Sequence, residues 1–274
     1  MTERNTVVFT DLDGTLLDHN DYSFSAAEPA LQRLQQLAVP WVLNTSKTRA
    51  ELMSLKQRLN NPWPLIVENG AAVVIPAGGA ISGMEDCQRV DGLACYEFAP
   101  RRERVLDAIH GWRDTLGFDF SGFADWDEYE LGDIAGLPVS DARLALNRNY
   151  SEPILWQDSE EQYQRFLDML AVEGLQALSG GRFIHIMGQC DKGAAMRWLA
   201  PRLIAADSQP RVIALGDSDN DLAMLRAADI AVIVRRPHRP PLDVVDAQGE
   251  VIITEEVGPL GWNNTLLSLL NDAD

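Results

Sequence analysis

Two short acidic clusters, each closing an apolar run, constrain this chain more than any other feature. Val7-Val8-Phe9-Thr10 leads into Asp11-Leu12-Asp13-Gly14-Thr15, and Val212-Ile213-Ala214-Leu215 leads into Gly216-Asp217-Ser218-Asp219-Asn220-Asp221. Taken singly, the first reads equally as turn chemistry closing a strand, and the second as an Asx turn with a helix cap. Open α/β sheets, however, place their ligand crevice at the carboxyl ends of parallel strands. Two such clusters at the ends of two parallel strands would bring several carboxylates into one crevice, an arrangement that mutual repulsion disfavours unless a cation compensates. A hard cation such as Mg²⁺, which takes carboxylate and carbonyl oxygens, suits that set.

The rhythm of the chain supports a parallel sheet. Val7–Thr10, Pro40–Leu43, Leu65–Val67 and Ala72–Ile75 read as strands, separated by amphipathic stretches through Leu31, Leu34, Leu37 and through Leu52, Leu55, Leu59. Ser25-Ala26-Ala27-Glu28 and Thr48-Arg49-Ala50-Glu51 both have capping-box spacing. After Pro76-Ala77-Gly78-Gly79 the chain becomes richer in aromatics and less regular. A weak strand is expected near 93–98, helices near 101–116, 139–149 and 160–173, and strands near 175–178 and 183–187. The α/β rhythm returns with a helix near 193–204, a strand at 212–215, a helix from Asn220, a strand at 230–234 and a last helix at 260–270. The expected fold is therefore α/β, a Rossmann-like core of residues 1–83 and 190–274 with a parallel sheet, split by an inserted α+β cap at 84–189.

With 23 basic and 41 acidic side chains in 274 residues, the net charge is −18. That balance argues against a nucleic-acid partner, whose phosphates need clustered Lys and Arg. No apolar run is long enough to span a membrane, and Met1–Arg4 carries no signal-peptide pattern, so no membrane partner and a cytoplasmic location are expected. Cys87, Cys95 and Cys190 have neither disulfide-framework nor zinc spacing. An acidic chain can still receive an anion if its positive charge is local. Its lysines are only Lys47, Lys56 and Lys192. Asn44-Thr45-Ser46-Lys47-Thr48 ends a strand with hydroxyls, amides and an ammonium at a helix start, a fit place for phosphate, and Lys192 opens the first helix after the insertion. Each lysine alone reads as a solvated surface residue; together they suit an anion.

These segments resemble the haloacid dehalogenase superfamily of phosphatases, which has Asp-x-Asp-Gly-Thr, a strand-end Thr or Ser, a Lys, and Gly-Asp-x-x-Asn-Asp in this order. The cap inserted after the third strand resembles the large-capped Cof-type group. Thr45-Ser46-Lys47-Thr48, Glu68-Asn69-Gly70-Ala71 and Gly181-Arg182-Phe183-Ile184-His185 resemble the mannosyl-3-phosphoglycerate phosphatase group within it, and Asp219 stands where that group often has Pro. The resemblance implies a Mg²⁺-dependent phosphoric monoester hydrolase acting on a small phosphorylated sugar-acid substrate. It implies that Asp11 is the nucleophile forming an aspartyl-phosphate and Asp13 the general acid and base. Thr45 and Lys192 would stabilise the phosphoryl group, and Asp11, Asp13, Asp217 and Asp221 would hold or support the metal.

For substrate recognition the expected residues are Ser46, Lys47 and Asn220, with Arg143 and Arg182 as forks for a glycerate carboxylate. Either arginine reads equally as half of a surface ion pair. His185, between Ile184 and Ile186, reads as a core or inter-sheet histidine, and Trp112, Trp126, Trp156 and Trp198 read as packing. Two alternatives remain at this point: a broader sugar-phosphate phosphatase of the same superfamily, and a catalytically silent phosphosugar-binding module. The sugar and the oligomeric state stay open.

Overall fold

A computed structural model describes residues 5–76, 81, 85–90, 92–180 and 182–271. Ala77-Gly78-Gly79, the proposed junction at 83–84 and Gly181 of the Gly-Arg-Phe-Ile-His segment lie outside or at the edge of the described residues. In chain order the elements are β1 (Thr6–Thr10), α1 (Glu28–Gln36), β2 (Trp41–Asn44), α2 (Arg49–Arg58), β3 (Leu65–Val67), β4 (Ala72–Ile75), β5 (Gln88–Val90) and β6 (Leu93–Glu97). Then come α3 (Arg102–Leu116), β7 (Phe120–Gly122), α4 (Glu128–Ala135), α5 (Val139–Leu146), β8 (Ser151–Trp156), α6 (Glu160–Val172), β9 (Leu175–Gly180) and β10 (Phe183–Gly188). The chain closes with α7 (Lys192–Leu199), β11 (Arg211–Gly216), α8 (Leu222–Arg226), β12 (Ile230–Arg235), β13 (Glu250–Val257) and α9 (Gly258–Asn271).

Among the described residues the larger sheet has the order β13-β12-β11-β1-β2-β3-β4-β6-β5. From β13 to β3 all neighbours are parallel, and β4, β6 and β5 extend the sheet antiparallel. The central strands are buried along their whole length because helices cover both faces. Val8, Leu43 and Leu215 face a cluster closed by Ala30 and Leu34 of α1, Leu52 of α2 and Trp262 of α9. Phe9, Val42 and Ala214 face the opposite cluster, closed by Met196 of α7 and Met224 of α8. Trp262 also donates its indole N–H to Thr10 Oγ1 at 2.9 Å, tying the last helix to the end of the first strand.

The two capping-box spacings have different outcomes. Thr48 caps α2 reciprocally with Glu51. Ser25 instead lies in a single 3-10 turn, and α1 begins at Glu28 with no side-chain cap and Pro29 in its first turn. Proline has no N–H to satisfy and its fixed φ suits the first helical turn, so it sets the helix start later than the serine spacing predicts.

A smaller antiparallel sheet, β7-β8-β10-β9, is covered on one face by Val105 and Ile109 of α3 and Phe166 and Leu170 of α6, which pack on Ile154 and Ile186. The sequence reading opened the inserted unit at residue 84. The structure corrects this: β5 and β6 hydrogen-bond beside β4 in the larger sheet, with Cys95 opposite Val74, so residues 88–97 belong with that sheet. No strand is expected from the sequence at 151–156, where β8 carries Pro153, a residue that disfavours strand interiors. In an antiparallel strand one residue's N and O point to the same side. The Pro153 carbonyl accepts from Phe123 N just past the end of β7, so the missing donor falls where the ladder stops and β10 loses nothing.

The two parts are clasped by a buried carboxylate. After β3, Glu68, Asn69 and Gly70 take φ of +46°, +59° and +90° in succession. This turn presents Glu68, fully buried, to the chain entering β8. Its carboxylate accepts from the backbone N–H groups of Asn149, Tyr150 and Ser151 at 2.9, 3.1 and 3.0 Å and from Ser151 Oγ at 2.7 Å. Arg148 Nε lies 3.6 Å from it, and Arg148 Nη2 donates to the Ser46 carbonyl at 2.7 Å. Removing the acid strands a buried guanidinium and three N–H groups. Glu68→Ala should therefore lower the urea-unfolding free energy by about 3–5 kcal/mol, whereas a loss under about 0.5 kcal/mol, the range of exposed substitutions, would show that the clasp contributes little.

Candidate active site

Because β1 and β11 are parallel neighbours in register, their acidic ends emerge on one edge; Asp11 N donates to Leu215 O at 2.9 Å, extending the ladder into the loops. Asp11, Asp217 and Asp221 are all buried, and each offers a carboxylate oxygen within 4.8 Å of the others. Gly14 makes this approach possible. Its φ is +81°, and a Cβ there would meet Asp217 Oδ2 at 2.8 Å.

Lys192, fully buried at the start of α7, joins the cluster. Its Nζ donates to Asp11 Oδ1 at 2.6 Å and to Asp221 Oδ1 at 2.7 Å. Burial pulls the ammonium's pKa down, but the two carboxylates outweigh it and hold the lysine charged. Asp191 caps the helix by accepting from Ala194 N at 2.6 Å, and Asn44 Nδ2 holds the Lys192 carbonyl at 3.0 Å. The other oxygen of Asp221 accepts from the N–H groups of Asp217 and Ser218 at 3.0 and 3.1 Å. Both oxygens of Asp221 are thus engaged, which places it as the residue that fixes Lys192 and the second acidic loop.

The remaining acids carry strain. Burial, only partly offset by Lys192, together with Asp221, Asp217 and Asp13 pushes the Asp11 carboxyl well above the usual range. Burial and Asp221 raise Asp217 to about 6. Asp217 Oδ1 and Asp13 Oδ1 are buried without a hydrogen-bond partner among the described residues. An all-oxygen set with unsatisfied, crowded carboxylates fits a hard divalent cation through Asp11 and Asp217, with Asp13 at its margin.

Asp13 sits one step out. Its Oδ2 pairs with Lys47 Nζ at 2.8 Å, and Lys47 also lies 3.9 Å from Glu51 and 5.2 Å from the centre of the Tyr22 ring. Burial disfavours the Lys47 charge, yet the two acids raise its pKa overall. Thr45, buried at the end of β2, accepts from Lys47 N through Oγ1 at 3.2 Å, and Ser46 gives its carbonyl to Arg148. The Thr45–Lys47 loop and the two acidic loops therefore border one crevice.

The structure does not bring every sequence-selected residue to this cluster. Asn220 binds neither Lys192 nor the acids: its Nδ2 donates to Asn69 Oδ1 at 2.9 Å and its Oδ1 accepts from Ser218 Oγ at 2.7 Å, bracing the acidic loop against the Glu68–Gly70 turn. Arg143 pairs with Glu128 at 2.9 Å, and its side chain is 66% exposed, the surface ion pair that its surroundings also allowed. Arg182 is exposed beside the β9–β10 turn, at the far end of the hairpin from the link to Lys192. Asp219 is exposed, so a residue other than Pro is accommodated there. Glu68, Asn69, Asn44 and Arg148 were not foreseen as supports; the run of Glu-Asn-Gly at a strand end was the available signal.

Comparison with known proteins agrees with this geometry. The haloacid dehalogenase-like hydrolase family matches residues 8–90 and 148–246. A protein of Methanococcoides burtonii named glucosyl-3-phosphoglycerate/mannosyl-3-phosphoglycerate phosphatase is 36% identical over 267 residues, 96% of this chain and 97% of that protein. A protein of the same name from Persephonella marina is 34% identical over 272 residues, 98% of each. Among solved structures, a haloalkanoate-superfamily phosphatase from Bacteroides thetaiotaomicron aligns over 98% of this chain and 96% of its own, with TM-score 0.68 and 16% identity. The sucrose-phosphatase of Synechocystis aligns over 98% of both chains, with TM-score 0.58 and 17% identity, so these two speak for the fold. With acidic loops, buried lysine and sheet order all in agreement with the sequence match, the chain belongs to the haloacid dehalogenase-like hydrolase family.

Proposed function

We propose that this chain is a Mg²⁺-dependent phosphatase that hydrolyses mannosyl-3-phosphoglycerate, and its glucosyl counterpart, through an aspartyl-phosphate on Asp11. The observation that carries the reading is the buried array of Lys192 between Asp11 and Asp221 with Asp217 beside it. The substrate class is supported by the names of the two relatives that match nearly end to end.

Mg²⁺, held by Asp11 and Asp217 with Asp13 and Asp221 in support, would offset the crowded negative charge and polarise the phosphoryl oxygens. The chain's own groups do the rest. Lys192 restrains Asp11 and neutralises it as the anionic phosphate approaches. An Asp11 oxygen bonds to phosphorus while the bond to the ester oxygen breaks, and Asp13 gives that oxygen a proton. Water then bonds to phosphorus as the Asp11–phosphorus bond breaks, with Asp13 taking the water's proton. Asp13 is paired with Lys47 in the resting arrangement. The charges of an incoming phosphate compete for that ammonium, and Asp13, so released, takes up from solvent the proton that it passes to the ester oxygen. Thr45 and Ser46 donate to the phosphoryl oxygens.

Asp11→Asn should abolish steady-state phosphate release while leaving the fold intact, since Asp221 still pairs with Lys192. Sustained turnover by that variant would overturn the nucleophile assignment. Asp13→Asn should lower kcat about 10²–10⁴-fold, the usual worth of a general acid–base, in a phosphate-release assay on mannosyl-3-phosphoglycerate. A substrate panel of mannosyl- and glucosyl-3-phosphoglycerate against hexose phosphates tests the substrate class, and equal turnover of all would favour the broader phosphatase.

A further prediction follows from Asp217. Its folded pKa of about 6 lies above the unfolded value of about 3.9. The folded state thus binds the proton more tightly, and the charged form lowers stability above that window. In EDTA, Asp217→Asn should be more stable than the parent at neutral pH, and the difference should shrink as pH falls through about 6. Mg²⁺ should stabilise the parent and not the variant. A pH-independent difference in urea unfolding would contradict the crowding argument.

A further inference from the structure

One buried polar side chain is unused by the mechanism. His185 is 7% exposed, and its Nδ1 has no hydrogen-bond partner among the described residues. Its direction follows from strand alternation. Ile184 and Ile186 point to the face covered by α3 and α6. His185 points to the other face, opposite Leu178 of β9 and Pro153 of β8. On that face Met187 belongs to the larger sheet's core cluster and Leu178 packs against it, so this is the side of the small sheet turned toward the catalytic core.

The surroundings of the ring are unusual for so acidic a chain. Burial pulls the imidazole down to about 3, and the charges of Arg148 and Lys192 disfavour its protonation further. The ring is neutral, and the two cations near it are each paired with acids, Arg148 with Glu68 and Lys192 with Asp11 and Asp221. One of these cations is the lysine of the catalytic array; the other spans from Ser151 Oγ to the carbonyl of Ser46 in the phosphate-facing loop. A neutral imidazole there has one N–H to give and adds no charge of its own. Buried polar groups left unpaired are rare and call for a partner.

We infer that His185 is a specificity-determining residue, donating an N–H from the inserted unit to the carboxylate of the substrate's glycerate unit, with Arg148 alongside. This rests on the glycosyl-phosphoglycerate reading above. It separates the two ends of the glycerate unit: the core loops hold the phosphate, and the small sheet reads the acid that generic sugar phosphates lack.

The test compares two competitive inhibitors, glucosylglycerate and glucosylglycerol, which differ in the carboxylate. His185→Phe should narrow the parent's preference for glucosylglycerate about ten- to hundredfold, the range of a hydrogen bond to a charged group. His185→Gln, which keeps a donor, should recover part of it. Inhibition by inorganic phosphate, read by the core loops, serves as the reference for an intact site in each variant. Should the Phe variant not fold, ¹⁵N imidazole spectra of the parent decide: a His185 shift with glucosylglycerate and none with glucosylglycerol supports the inference. An unchanged preference in a folded variant, or a resonance that neither compound moves, overturns it and leaves water as the ring's partner. If the parent turns over neither glycosyl-3-phosphoglycerate, the substrate reading falls first; with that turnover present, the failure is that of His185 alone.

Discussion

A fully buried ammonium organises this molecule. An isolated charge in a protein interior is prohibitively costly unless it is paired and hydrogen-bonded. Lys192 meets that requirement only by drawing Asp11 from the end of β1 and Asp221 from the end of the turn between β11 and α8. Asp221 must in turn be held, and the N–H groups of Asp217 and Ser218 hold it. Gly216 is part of the same requirement, because a Cβ there would lie 2.6 Å from the Asp221 carboxyl carbon. The register of β1 against β11, the cap on α7 and the shape of the second acidic loop are thus consequences of where one lysine is placed.

The same arrangement explains how a chain of net charge −18 can receive an anion. At physiological ionic strength exposed charges are screened beyond about 8 Å, so the average surface matters less than the groups lining the crevice. Lys47, Lys192 and Arg148 are all largely buried there, where screening is weak. Each has an acid of its own in Asp13, Asp11 or Glu68. Asp217 and Asp221 remain in excess of these cations, the surplus that a divalent cation would offset, and a phosphate then changes partners rather than meeting bare charge.

Much of the core was legible because its signals are local. The apolar runs ending in Asp11 and Leu215 define strands and loops without reference to anything distant, and Thr48-Arg49-Ala50-Glu51 contains its whole capping motif. What was not legible depended on partners far along the chain. Nothing near Asp13 indicates that Lys47 will neutralise it, and nothing near Asn220 indicates that Asn69 will receive it. Arg143 and Arg182 have the right chemistry for a carboxylate, but chemistry does not supply position, and Glu128 claims the first. Pro153 hid a strand because its tolerance depends on where a neighbouring ladder ends. The boundary at residue 84 was misplaced because β5 and β6 join the larger sheet through antiparallel pairing, which the preceding parallel rhythm does not foreshadow.

The hydrogen bond from Trp262 to Thr10 joins residues 252 positions apart, and β1 takes its place beside a strand made some two hundred residues later. Pairings of such long range form slowly, since the intervening chain must first be brought together. During synthesis Asp11 therefore leaves the ribosome some two hundred residues ahead of β11, and still further ahead of α9. A nascent chain carries Asp11 across that whole interval without the buried lysine and acids that surround it in the fold, so the charged array assembles late and all at once.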